Sequence, residues 1–287
     1  MKKTLIIIAA AFFLLPAVPA QAGKIVADSL FSAVLSTSVK YNVYLPDGYE
    51  KSSRKYPVVY LLHGLYGNYD DWRMRGHMRG VADELIASGE AVPMIIIMPN
   101  AGDADVHNVQ NGYFNVQDWA YEDFFFKEFM PAVEAKYHCI GDKGHRAVMG
   151  LSMGGGGSTV YAQRHPDKFS SCYAMSAWLD NRADAGVSRN EQKKDCLYYV
   201  CEAVHEHSAL DFIDNADEAT LAALRTVKWF IDCGDDDFLL DLSTELHQKM
   251  RNRKVKSELR VRNGVHNWEY WHLALRLSLP FASRNFD

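Results

Sequence analysis

The chain of 287 residues has no stripe of basic residues interleaved with aromatics, and its formal net charge is −5. That balance offers no footing for a phosphate backbone, so no nucleic-acid partner is expected. After the first two dozen residues no apolar run is long enough to cross a bilayer, so no stable membrane insertion is expected once the leader is removed. Internal repeats and low-complexity linkers are absent. Cysteine is scarce: Cys139, Cys172, Cys196, Cys201 and Cys233 are the whole supply. No pair has the spacing of a zinc knuckle, and none sits in a nucleophile motif, so neither a structural zinc nor a thiol nucleophile is expected. An odd count leaves at least one thiol unpaired within a single chain. Cys196 and Cys201 are near enough to close a small loop, but spacing alone does not fix a connectivity.

The N-terminus differs from the rest. Lys2 and Lys3 precede an almost wholly apolar stretch from Leu5 to Val18, followed by Ala20-Gln21-Ala22. This is the layout of a cleaved secretory signal over residues 1–22. At about 14 residues, the apolar run is short for a membrane anchor. The expectation is a periplasmic or secreted protein whose working domain is residues 23–287.

From there, short apolar runs alternate with helix-like stretches. Residues 41–45 alternate like a half-buried strand. Residues 57–62 and 94–98 are continuously apolar, as suits strands covered on both faces. Residues 146–149, 169–175, 227–231 and 259–261 complete the strand candidates, and residues 121–137 carry apolar side chains at helical spacing. The rhythm predicts an α/β fold with a mostly parallel central sheet flanked by helices. Residues 180–217 interrupt it with clustered charge and no strand pattern. They are expected to form a cap-like or lid insertion. His205 and His207 lie within it and, lacking a third ligand, are expected to be solvated rather than to hold a metal.

Gly150-Leu151-Ser152-Met153-Gly154 is a G-x-S-x-G pentapeptide. The motif alone is weak. Its position between a strand-like run and a helix-like run gives it meaning, because a serine on that sharp turn presents its hydroxyl clear of the sheet. A serine hydroxyl needs a base, and the base needs an orienting acid; in this arrangement they follow in the order Ser, Asp or Glu, His. His266 lies in a loop after the last strand candidate and before a terminal helix. The acid belongs in the loop after residues 227–231, where Asp232, Asp235, Asp236 and Asp237 compete and spacing does not choose. The oxyanion donors expected of such a site are the N–H groups of Met153, next to the serine, and of Leu65, in the loop Leu61-Leu62-His63-Gly64-Leu65. His63 itself is read as a brace for that loop.

With these segments placed, the chain resembles the esterase D group of α/β-hydrolases. That group takes in carbohydrate esterase family 1, feruloyl, acetylxylan and tributyrin esterases, and S-formylglutathione hydrolases. The resemblance rests on residues 56–64, on Arg146 through Gly155, on Cys233-Gly234-x-x-Asp237-Phe238-Leu239 and on Gly264-x-His266-x-Trp268-x-x-Trp271. It implies the α/β-hydrolase fold. It places the acid at Asp237 and supports Leu65 and Met153 as oxyanion donors. Since a triad and two backbone donors suffice for the chemistry, no metal and no other cofactor is expected. The resemblance also implies that residues 100–115 help shape the acyl or sugar pocket, although 106–110 match no subgroup pattern. The expected activity is a serine esterase working through an acyl-enzyme on a small-molecule or carbohydrate ester. Acetyl or feruloyl groups on plant polysaccharide are the leading substrates, since a glutathione thioester belongs in the cytosol. A general short-chain (tributyrin-type) esterase and an acyltransferase with the same triad are the alternatives.

Overall fold

The structure is a computed structural model, and residues 22–287 are described. The signal-peptide reading falls on residues outside that range, apart from Ala22.

Ten strands are described: β1 (Lys24–Ser32), β2 (Thr37–Leu45), β3 (Val58–Leu62), β4 (Ile95–Pro99), β5 (Asn115–Val116), β6 (Trp119–Ala120), β7 (Arg146–Leu151), β8 (Ser171–Met175), β9 (Lys228–Gly234) and β10 (Ser257–Arg262). Apart from the small β5–β6 ribbon, they form one eight-stranded sheet in the order β1-β2-β4-β3-β7-β8-β9-β10. The run from β4 to β10 is parallel throughout, and β1 and β2 add an antiparallel edge. Strands β3, β4, β7 and β8 are buried at every position. Their unbroken apolar sequences follow from having helices on both faces.

The period-2 geometry of a strand divides those side chains. Val58, Tyr60 and Leu62 enter one core, while Val59 and Leu61 enter the other. The helices are α1 (Asp71–Met74), α2 (Met78–Ala87), α3 (Tyr121–Phe124), α4 (Met130–Lys136), α5 (Met153–Arg164), α6 (Cys196–Glu206), α7 (Ala209–Asn215), α8 (Glu218–Leu224), α9 (Leu240–Asn252) and α10 (Trp268–Arg284). The smaller core takes α1, α2 and α10; the larger takes the rest. The helical spacing over residues 121–137 is met by α3 and α4 joined through a π-turn at Phe125–Phe129. Strand β1 had no clear sequence signal. It is an edge strand whose side chains are mostly exposed or half-buried, so burial imposed no apolar pattern on it.

Residues 180–217 hold an irregular loop, then α6 and α7. The helices bury Leu197, Val200, Val204 and Ile213 in the larger core. All five cysteines are unpaired.

Candidate active site

Strand β7 runs directly into α5, with Ser152 alone between them. Its backbone has φ 53° and ψ −118°, a conformation sparsely populated by residues with a Cβ. The surroundings hold it there. The Ser152 N–H donates to Met175 O at 2.9 Å, and its carbonyl accepts from Gly156 at 3.0 Å and Trp178 at 2.9 Å. The two motif glycines make the close approach possible. A Cβ at Gly150 would stand 2.5 Å from the carbonyl oxygen of Gly154, and one at Gly154 would stand 2.6 Å from that of His63. Either would push β7, α5 and the loop after β3 apart.

The hydroxyl of Ser152 lies 2.9 Å from His266 Nε2, and His266 Nδ1 lies 2.9 and 3.0 Å from the two carboxylate oxygens of Asp237. The Asp237 side chain has no exposed surface. Burial alone would raise its pKa, but the hydrogen bond and charge of His266, with the Leu239 N–H at 2.9 Å, outweigh it and hold the carboxyl below its usual range. An ionised Asp237 can only accept, so Nδ1 carries the proton and Nε2 is left to accept from Ser152. The other three aspartates are engaged elsewhere. Asp232 is buried beneath Tyr173, Tyr270 and Arg262; Asp235 accepts from the Gly264 N–H; Asp236 is exposed. Backbone direction separates four residues that spacing left equal.

The N–H groups of Leu65 and Met153 have no hydrogen-bond partner among the described residues, although both side chains are buried. Leu65 borders the cavity that holds Ser152. His63 is fully buried behind it. Its Nδ1–H donates to Gly64 O at 2.8 Å and its Nε2 accepts from the Ala101 N–H at 2.9 Å. Burial pulls its pKa down to about 4, so it stays neutral and ties the loop to the residues after β4. Tyr113 adds a bond from its hydroxyl to His63 O. Residues 100–115 therefore brace the site from behind. None of them borders the Ser152 cavity itself, but Asn100 and Asp103 border a neighbouring depression that shares Asp71 with it.

The cavity has a volume of about 370 Å³, and its walls are aromatic: Tyr66, Trp178, Phe238, Trp268 and Trp271. Sequence reasoning did not assign these residues a role. Trp178 follows the carboxyl end of β8, where open parallel sheets place ligands, and that rule was the available signal. Asp71 and Arg75 supply polar groups. Asp71 is half-buried, which raises its pKa, and the Arg75 guanidinium lies 5.0 Å over the Trp268 ring. From residues 180–217 only Val187 reaches the cavity. His205 and His207 do not converge: His205 Nδ1 meets Asp180, while His207 stacks on Phe114 at 4.6 Å.

Residues 32–282 match the family described as "Putative esterase". A solved structure of a ferulic acid esterase is 48% identical and superposes with a TM-score of 0.90, over 92% of this chain and 98% of that one. An esterase of Mycobacterium tuberculosis is 35% identical over 147 residues, 51% of this chain and 30% of that protein. An endo-1,4-beta-xylanase/feruloyl esterase of Xylanibacter ruminicola is 34% identical over 132 residues, 45% of this chain and 18% of that protein. The matched stretch is thus under a third of the length of these two relatives.

Proposed function

The chain belongs to the esterase family, and on that premise we propose that it is a serine carboxylic-ester hydrolase that releases a feruloyl-type aromatic acid from plant polysaccharide or its fragments. The observation that carries this reading is the unbroken hydrogen-bond line Asp237–His266–Ser152 at the floor of an aromatic-walled cavity. Ser152 Oγ attacks the ester carbonyl while His266 Nε2 takes its proton. The N–H groups of Leu65 and Met153 receive the developing oxyanion, aided by the N-terminus of α5. His266 then gives the proton to the departing alcohol, and water repeats the sequence on the acyl-enzyme.

The aromatic walls favour a planar aromatic acyl group over acetyl, because an acetyl group would leave most of that apolar surface unfilled. Asp71 and Arg75 suit the hydroxyl of a phenolic ring. Similarity to a ferulic acid esterase along nearly the whole chain supports the same choice. Export, read from residues 1–22, would bring the enzyme to such a polymer.

The test is a panel of methyl esters with acetyl, butyryl and feruloyl groups, with mass spectrometry of protein quenched during turnover. The expected result is the highest kcat/KM on the feruloyl ester and an acyl increment on the peptide carrying Ser152. Faster turnover of acetyl than feruloyl would overturn the acyl assignment; an increment on another residue would overturn the nucleophile.

A further inference from the structure

Strand β8 ends at Met175, and the residue after it is a fully buried serine. Ser176 has φ 44°, in the left-handed region that glycine enters without strain. Its N–H donates to Asp232 O at 2.7 Å, which ties the turn to β9. A residue with a Cβ held in that conformation points to a use for its side chain. Ser176 Oγ accepts the indole N–H of Trp271, on α10, at 3.0 Å. Trp271 is itself buried and stands perpendicular to the His266 ring, with the ring centres 4.9 Å apart. The Phe238 ring also packs on His266, at 4.6 Å.

With its oxygen accepting from Trp271, Ser176 keeps its own proton to donate. The titratable groups it faces are Asp237 and Cys233. At Cys233, burial and the nearby Asp237 charge push the thiol up to about 12, so it stays neutral and is the weaker acceptor. At Asp237, burial works to raise the carboxyl pKa, and Ser176 joins His266 and the Leu239 N–H in outweighing it. The Asp237 side chain has no exposed surface, so each protein donor that it keeps takes the place of a water. The contacts thus close a ring: His266 bonds to Asp237, Asp237 is served by Ser176, Ser176 holds the Trp271 indole, and that indole packs back on His266. Resting on the serine-hydrolase reading above, we propose that Ser176 and Trp271 are a positioning pair for the Asp237–His266 dyad: the indole N–H turns the Ser176 hydroxyl toward the carboxylate, and the indole ring fixes the plane of the imidazole. Both act through His266, and neither exchanges a proton with the substrate.

The experiment measures ester hydrolysis against pH for the wild type, Ser176→Ala, Trp271→Phe and the double variant. Phenylalanine keeps an aromatic ring beside His266 while removing the indole N–H. Ser176→Ala should lower kcat by about ten- to a hundredfold with little change in KM, as a displaced catalytic group does. With one donor fewer, the carboxylate turns more of its charge toward His266. The acid limb of the kcat/KM profile should therefore move up by about half a pH unit, which a merely structural role would not cause. Trp271→Phe should move the limb in the same direction by less, because a hydroxyl that no longer accepts a hydrogen bond is a poorer donor. The double variant should lose no more than the worse single variant, since the two residues act as one unit. Losses that multiply across the two positions, or an acid limb unmoved in both single variants, would overturn the pair while leaving the esterase reading intact. If Ser176→Ala does not fold, Trp271→Phe decides alone, and a wild-type kcat and acid limb in that variant would overturn the pair. A wild type that hydrolyses no ester would instead overturn the esterase reading, and the pair with it.

Discussion

Ser152, Asp237 and His266 lie beyond the carboxyl ends of β7, β9 and β10; Asp180, His205 and Ser208 lie within the 180–217 segment, the last two at the junction of α6 and α7. Both places hold the same three residue types within hydrogen-bonding distance, with a buried aspartate in each. The wiring differs. In the first, histidine stands in the middle and can take a proton from serine. In the second, aspartate stands in the middle: His205 Nδ1 lies 2.9 Å from Asp180 Oδ1, and the Ser208 hydroxyl donates to Asp180 Oδ2 at 2.8 Å. The Ser208 hydroxyl thus faces a carboxylate already shared with His205, and among the described residues no imidazole nitrogen stands beside it to take its proton. Its oxygen also accepts the Asp211 N–H at 3.3 Å and so caps α7. Residue types alone do not make a nucleophile; the order of the hydrogen bonds does.

The contrast breaks most sharply at the serines. Ser152→Ala should cost kcat/KM up to about 10⁶-fold in a folded protein, whereas Ser208→Ala should leave it within about tenfold. Ester hydrolysis assays on the two purified variants decide it, and comparable losses in both would mean the wiring argument is wrong. The aspartates come next. Asp237→Asn should cost about 10⁴-fold, because an amide there favours the wrong histidine tautomer. Asp180→Asn should cost less than about tenfold. Steady-state kinetics that ranked Asp180→Asn as the more damaging change would reverse the assignment. The third effect belongs to stability. Ser208→Ala removes a buried hydrogen bond and a helix cap, so it should destabilise the protein by about 1–2 kcal/mol. Urea denaturation measures this, and a change under about 0.3 kcal/mol would deny the residue its capping role.

Much of the first cluster was legible in the sequence, and almost none of the second. Strands buried on both faces leave continuous apolar runs, so β3, β4 and β7 announced themselves, and the glycines around Ser152 are dictated by backbone clearance. The choice among Asp232, Asp235, Asp236 and Asp237 was not legible from spacing. The residues are chemically identical, and only the turn after β9 decides which faces His266; it was the family resemblance that pointed to Asp237. The aromatic walls were hidden for another reason. Trp178, Phe238 and Trp268 converge from three separate connections, and no local period relates them. The 180–217 segment carried a polar pattern because its loop faces water, while the helices within it bury a narrow apolar stripe.

A third histidine completes the comparison with the smallest effect. His63 is held at both nitrogens, donating through Nδ1 and accepting through Nε2, so the folded protein has no place for a second ring proton. Its pKa falls from 6.5 to about 4 by burial. A depressed value means that the unfolded chain binds the proton first as pH drops. The stability His63 confers is therefore complete above about 6.5 and is lost progressively as pH falls toward 4. Between pH 7.5 and 6 the loss from this one residue should be about 0.8 kcal/mol. His63→Gln removes the titration while retaining an amide oxygen that can accept the Ala101 N–H. The variant should be less stable at pH 7.5, yet its stability should fall by about 0.8 kcal/mol less than that of the wild type on moving to pH 6. Every group other than residue 63 is common to the two proteins and cancels in the difference. Urea midpoints at the two pH values provide the measurement, and equal falls would show that His63 takes up its proton in the folded state as readily as in the unfolded one.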